Sequence, residues 1–220
     1  MQSWKSAEQG DSHRHEPENS TAASVVPTHE KADTSFGERV RALVASLADG
    51  TTTTTDGLRG LSDDEFDEIG RDQPAPPTGA YACFLRLIGG GAGHFLQGSD
   101  VFYPRVIGLR EAAEEILSES GNPFALGTSD RVILMHQGYQ FDFLRGEGPD
   151  PEVWTYGEFL AEPSRVHARF TDWLEANVLQ ERRAWARLVP EYEAEKRKPP
   201  SERRYYHYRH HPDGSVTDEL

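Results

Sequence analysis

Residues 131–144, Arg-Val-Ile-Leu-Met-His-Gln-Gly-Tyr-Gln-Phe-Asp-Phe-Leu, restrict the fold more than any other stretch of this chain. Arg131 to His136 is a nearly continuous apolar run of strand length, which predicts a central strand buried on both faces. Gln137-Gly138 predicts a two-residue hairpin turn, because glycine accepts the positive φ that such turns require. From Tyr139 to Leu144 the pattern alternates: Tyr139, Phe141 and Phe143 share one face, and Gln140 and Asp142 the other. Val153 to Tyr156 reads as a further strand after a loop at Gly146 to Pro151.

Helical spacing surrounds this hairpin. Ser35-Phe36-Gly37-Glu38 reads as a capping box. It opens a helix with Phe36, Val40, Leu43, Val44 and Leu47 inward, stopped at Asp49-Gly50 and docked on the domain as an appendage. Ser62-Asp63-Asp64-Glu65 is a second capping box, with acids in the first turn where the helix dipole favours them. Thr78 caps a helix that buries Tyr81, Phe84, Leu85 and Ile88. Another helix runs from Leu109 to Ser118. Short strands are expected at His94 to Leu96 and at Val101 to Tyr103. Ser164 is expected to cap a last helix whose stripe is Val166, Phe170, Trp173, Leu174 and Val178.

Composition adds domain limits. A chain of 220 residues is of single-domain length, yet only 36% of it is hydrophobic. The polar excess is concentrated at the ends. Met1 to Thr34 reads as a disordered tail, too polar to offset its ordering entropy. Ser35 to Arg59 holds the extra helix and a threonine-rich linker, Gly60 to Gln180 the folded domain, and Glu181 to Leu220 a charged extension. Within that extension, Glu181 to Leu188 prolongs the last helix until Pro190 breaks it. Tyr205 to Tyr208 is expected to form a strand that turns at Pro212-Asp213-Gly214.

The net charge of -14 excludes the acidic body as a generic nucleic-acid binder. The exclusion is weaker after Gln180, where residues 181–211 hold nine basic and five acidic residues. No run approaches the ~18 apolar residues of a membrane span. Met1 to Ser20 has no apolar core of a secretory signal. The single cysteine, Cys83, excludes an internal disulfide. These features lead to the expectation of a cytoplasmic protein.

No catalytic constellation emerges. Gly89-Gly90-Gly91-Ala92-Gly93 lacks the lysine of a P-loop and the strand–helix order of a dinucleotide fingerprint, so it reads as a helix stop. There is no nucleophile elbow, no zinc motif and no cysteine pair. His207, His210 and His211 read as solvated side chains of a polar tract, and His136 as a hydrogen-bonded structural residue. The acids of residues 63–68, Glu111, Glu114 and Glu115, and Glu147, Asp150 and Glu152 read first as solvated faces and second as partner surface. No catalytic residue, metal ligand or cofactor is expected.

One series of segments is familiar as a series. The helix Leu61 to Ile69 leads to Pro77 and the Tyr81-x-x-Phe84-Leu85 helix, then to the glycine turn and Val101-Phe102-Tyr103. His136-Gln137-Gly138-Tyr139-Gln140-Phe141 and Glu152-Val153-Trp154-Thr155-Tyr156 follow, and Phe170-Thr171-Asp172-Trp173-Leu174 closes it. This resembles the SUKH superfamily, the immunity-protein group that also includes a fungal cell-wall assembly regulator. The likeness covers about Gly60 to Val178. It implies an α+β fold, a SUKH-like twisted, mainly antiparallel or mixed β-sheet with packed helices. It further implies a cytoplasmic, non-catalytic bacterial protein that binds and neutralises a cognate protein toxin, often one directed at nucleic acid. An acidic body suits a basic toxin. The family supplies no contact residues, so the candidates come from chemistry: Asp142, Glu147, Asp150, Glu152 and Trp154, acids and an aromatic around the hairpin and the next strand, with Trp154 reading equally well as a residue packed in the sheet. A regulatory or scaffolding protein of the same fold without a toxin is the alternative.

Overall fold

A computed structural model of the chain describes residues 29–48, 57–158, 160–199, 202, 208–210 and 216–218. The expected tail up to residue 28, the threonine run and the turn at Pro212-Asp213-Gly214 lie outside these residues. The described elements are helices α1 (His29–Leu47), α2 (Asp63–Asp72), α3 (Gly79–Ile88), α4 (Leu109–Glu119) and α5 (Phe170–Lys196), with strands between them. Strands β3 (Ser99–Asp100), β4 (Arg131–His136), β5 (Gln140–Arg145), β6 (Glu152–Gly157) and β7 (Ser164–His167) form one antiparallel sheet in chain order. Strands β1 (Leu58–Arg59) and β2 (Gly91–Ala92) pair as a small ribbon, and β8 (Tyr208–His210) pairs with β9 (Val216–Asp218).

The β4–β5 hairpin is the spine of the sheet. Five successive residues of β4, Arg131 to Met135, are buried, because helices cover both faces and a register shift between Val132 and Leu134 turns extra side chains inward. The connection is one residue longer than its sequence predicts. His136 pairs with Gln140, so Gln137, Gly138 and Tyr139 form the loop, with Gln137 at φ 49 and Gly138 at φ 77. Tyr139 spends its backbone on that turn: its N–H donates to His136 at 3.2 Å and its carbonyl accepts from Glu158 at 3.1 Å.

The two faces of β5 carry different layers. Phe141 and Tyr156 face the side of α4, where the Tyr156 hydroxyl meets Ser120 Oγ at 2.8 Å. Asp142 points to the other side, beneath α5. The expected polar, open face of β5 is therefore a covered one, and Asp142 is only 9% exposed.

Several expectations change. Helix α1 begins at His29, within the expected tail. It is no appendage: Val40, Val44 and Leu47 are buried in the common core, and Arg39 ties it to α5 through Thr171 Oγ1 at 2.9 Å and Asp172 at 3.0 Å. Residues 164–167 form a strand rather than a helix start, and Val166 is 43% exposed. Their backbone finds partners on β6, so the helix waits until Phe170, where the continuous stripe begins. Helix α5 then passes through Pro190 to Lys196. The segment His94 to Leu96 is turn, and the strands near it are Gly91–Ala92 and Ser99–Asp100. The tail strand is at 208–210.

The start of α3 is fixed by a close backbone approach. Gly79 has φ 54, and a Cβ there would fall 1.9 Å from the Pro149 carbonyl oxygen, which accepts the Ala80 N–H at 2.7 Å. Gly79→Ala is expected to cost about 2 kcal/mol or more, since both the left-handed backbone and the contact must give. A urea unfolding midpoint equal to that of the wild type would refute this.

Candidate functional site

Register places a charged and aromatic set on one face at the ends of β5 and β6. Arg145 pairs with Glu152, Phe143 with Trp154, and Trp154 with Arg165 of β7. With a side-chain period of two, these five residues share a face. Asp130, only 2% exposed, sits just before β4 and accepts from Arg145 Nε at 2.9 Å and Nη2 at 2.6 Å. The same carboxylate accepts the Gly127 N–H at 2.8 Å. The guanidinium carbon of Arg145 lies 4.9 Å from the Phe124 ring, 5.1 Å from Phe143 and 5.1 Å from Trp154. An arginine gripped by a buried carboxylate among three rings is held in one orientation.

Trp154 is fixed from its edge. Its Nε1–H donates to Glu152 at 3.0 Å, and Glu152 also accepts from Arg165 Nη1 at 2.7 Å. The hydrogen bond from Arg165, then that from Trp154, holds the Glu152 carboxyl below the usual carboxylate range. The hydrogen bond to Asp130 raises the Arg145 guanidinium further above its ordinary value, so it is always charged. Trp154 stays half-buried on this face, and Arg165 is half-exposed.

The five sequence candidates separate here. Trp154 and Glu152 belong to this face. Glu147 is exposed in the β5–β6 loop and lines a cleft of about 390 Å³ with Pro74, Thr78, Ser129 and Pro151. Asp150 serves the fold instead: it accepts the Thr171 N–H at 2.9 Å and the Thr171 hydroxyl at 2.7 Å, so it caps the first turn of α5 from a distant loop. Asp142 also leaves the contact set, because its carboxylate is buried and accepts Trp173 Nε1–H at 2.9 Å. Sequence reasoning missed Arg145, Arg165, Asp130 and Phe124. The available signal was Arg145 standing two residues after Phe143 and seven before Glu152, at the rim of a hairpin.

Burial pushes the Asp142 carboxyl above the usual carboxylate range, against hydrogen bonds from Thr155 and Trp173 and the charges of His167 and His136. A carboxyl raised in this way stabilises the fold fully below its unfolded pKa and loses that contribution as pH rises through its folded pKa. Asp142→Asn keeps an oxygen for Trp173 and removes the titration. Relative to wild type, the Asn variant is expected to gain stability as pH rises from about 3 to about 7. A difference that stays flat over that range in urea titrations would contradict the assignment.

Other chemistry is sparse. Ser99 Oγ meets His136 Nδ1 at 2.9 Å, and no carboxylate hydrogen-bonds that imidazole among the described residues. That pair lacks the orienting acid of a hydrolytic triad. Cys83 lies half-buried between α1 and α3, and burial pushes its thiol up, away from the thiolate. The glycine cluster ends α3 at Gly89 and enters β2 at Gly91. Glu65 completes the capping box of α2, and Asp63 pairs with Arg86 at 2.7 Å. Among the described residues no three metal-ligating side chains cluster, and no helix is long and apolar enough to cross a membrane.

No protein-family model, curated protein or solved structure matches this chain. What the geometry defines is an α+β chain with five described helices and a five-stranded antiparallel sheet, with an arginine–tryptophan face at one end of that sheet.

Proposed function

We propose that this chain is a non-catalytic immunity-type protein of SUKH-like fold, which binds a cognate toxin directed at nucleic acid in the cytoplasm and neutralises it. The segment series from Leu61 to Leu174 supports the family reading. The observation that carries the binding role is the pre-organised Arg145–Trp154 pair. Trp and Arg are the residue types that anchor protein interfaces, and both are already locked on a rigid sheet, so little freedom is lost on contact. The surrounding charge fits a basic toxin, since residues 57–158 hold seventeen acidic and seven basic side chains. Opposite fields speed encounter and reject like-charged partners.

The test is co-expression with each neighbouring gene that encodes a candidate toxin. Restored growth together with co-elution of the two chains is the expected result. Neither protection nor a complex with any neighbour would remove the toxin reading and leave the scaffolding alternative.

A further inference from the structure

We infer that the cleft lined by Glu147 takes a lysine side chain of the partner, with the aliphatic stem against prolines and the ammonium at the Glu147 carboxylate. The inference deepens the reading of this chain as the binder of a basic protein, and it rests on that reading. The cleft, of about 390 Å³, lies between the connector that carries Pro74 and Pro76, the turn before β4 and the β5–β6 loop. Pro74, Pro76 and Pro151 give it apolar walls, and Thr78, Thr128 and Ser129 stand among them. Thr78 makes no side-chain cap bond to α3, and the hydroxyls of Thr128 and Ser129 have no partner among the described residues. Glu147 is exposed and forms neither an ion pair nor a hydrogen bond among the described residues. Both of its oxygens are therefore free to accept.

The other charges around the cleft are already answered. Arg131, the second charged residue of the lining, is 2% exposed, donates to the carbonyls of Ile69 and Ala75, and feels the charge of Asp72. Arg145, just before the loop, is paired with Asp130. The start of α3 is closed by the Pro149 carbonyl, which accepts the Ala80 N–H at 2.7 Å. Glu147 is left as the lining charge without a counter-charge. A phosphate or a carboxylate would meet that glutamate and reach no exposed cation in the lining. A bare metal ion or ammonium would leave the proline walls in water. A lysine lays its methylene stem on those walls and brings its ammonium donors to the carboxylate and the neighbouring hydroxyls. The surrounding body, with seventeen acidic and seven basic side chains over residues 57–158, adds to the attraction.

The test uses the full chain, labelled with nitrogen-15, and follows the backbone amides of Ser129, Gly146 and Gly148 by NMR. The probes are the N-acetyl, N-methylamide derivatives of lysine, norleucine and glutamate; norleucine keeps an aliphatic stem and lacks the ammonium. The lysine derivative is expected to shift the three amides together and to saturate, while the other two leave them in place. Glu147→Gln, at an exposed position that makes no contact the fold needs, is expected to weaken the lysine derivative about tenfold. Glu111→Gln, on the exposed face of α4, is expected to leave its binding unchanged, which separates the cleft from the general field of an acidic chain. The inference is overturned if the lysine derivative does not saturate at these amides, if the norleucine or glutamate derivative binds as tightly, if Glu147→Gln binds like wild type, or if Glu111→Gln weakens binding as much. The assay requires no toxin. A chain that takes the lysine derivative but protects against no neighbour keeps the cleft and loses only the toxin reading. A chain that protects but takes no lysine derivative keeps the toxin reading and loses the cleft.

Discussion

Trp173→Ala is expected to lower stability by about 4 kcal/mol and the melting temperature by about 8 to 16 °C, the largest effect of any single truncation on the sheet's α5 side. Three contributions coincide at this residue. Its side chain is 3% exposed, so truncation opens a cavity between α5 and β5. Its ring stacks on Phe170 at 5.4 Å, and Phe170 in turn packs edge-on against Tyr81 and Phe84 of α3. Its indole N–H is the donor that satisfies buried Asp142 at 2.9 Å. Losing it leaves a carboxylate in the interior with one partner fewer. Trp173→Phe separates the contributions: it keeps most of the volume and loses the N–H, at an expected cost of about 1 to 3 kcal/mol. In the background of Asp142→Asn the same Phe substitution should cost less, because the orphaned group is no longer a charge. Urea unfolding of the four variants measures all of this. A Trp173→Ala variant within about 1 kcal/mol of wild type would show that α5 is not held to the sheet as described.

The reason Asp142 was misplaced from sequence is general to strands. Alternation over Tyr139 to Leu144 reports that two faces differ, and it does not report whether a second helical layer covers the polar one. That layer is α5, and its stripe was legible from Phe170 onward. Its start was not, because Ser164 and Val166 fit a helix cap and a helical spacing as well as they fit a short strand. Only the free edge of β6 decides between them, and that edge is a tertiary fact. Helix α1 was legible in its apolar positions and its end, and only its earlier start and its place in the common core were not, because a helix separated from the domain by a threonine run reads as an appendage. Pro190 was expected to end α5. It removes one donor and leaves the rest of the helix intact. By contrast, the α2 capping box, the buried face of α3 and the apolar run of β4 were fully local and came out as read. The candidate face was half legible. Trp154 and Glu152 carried a signal as an aromatic and an acid beside the hairpin, whereas Arg145 gained its meaning only from Asp130, fifteen residues away and buried.

The same contrast shapes the expected behaviour of the face in a complex. Trp154→Ala is expected to weaken the proposed toxin complex by about 2 kcal/mol or more, roughly thirtyfold in Kd. The indole is half-buried at the end of the sheet and packs on the margin of the core, so urea unfolding of the same variant separates lost contact from lost stability. Arg145→Ala is a poorer probe, because it would leave Asp130 buried and unpaired and so damage the fold as well as the contact. Arg145→Lys avoids that ambiguity: it retains a charge for Asp130 but cannot present a planar fork beyond it. It is expected to cost about tenfold in affinity, mainly through faster dissociation. Asp150→Asn removes charge from the cap of α5 and should instead lower stability by about 1 kcal/mol while leaving affinity unchanged. Calorimetric titration of any partner recovered by co-expression against these three variants therefore divides contact from scaffold. Equal affinities for wild type and Trp154→Ala would move the contact off this face, toward the exposed acids of α4, Glu111, Glu114 and Glu115. In that case the arginine–tryptophan cluster would serve only to fasten β5 to β6.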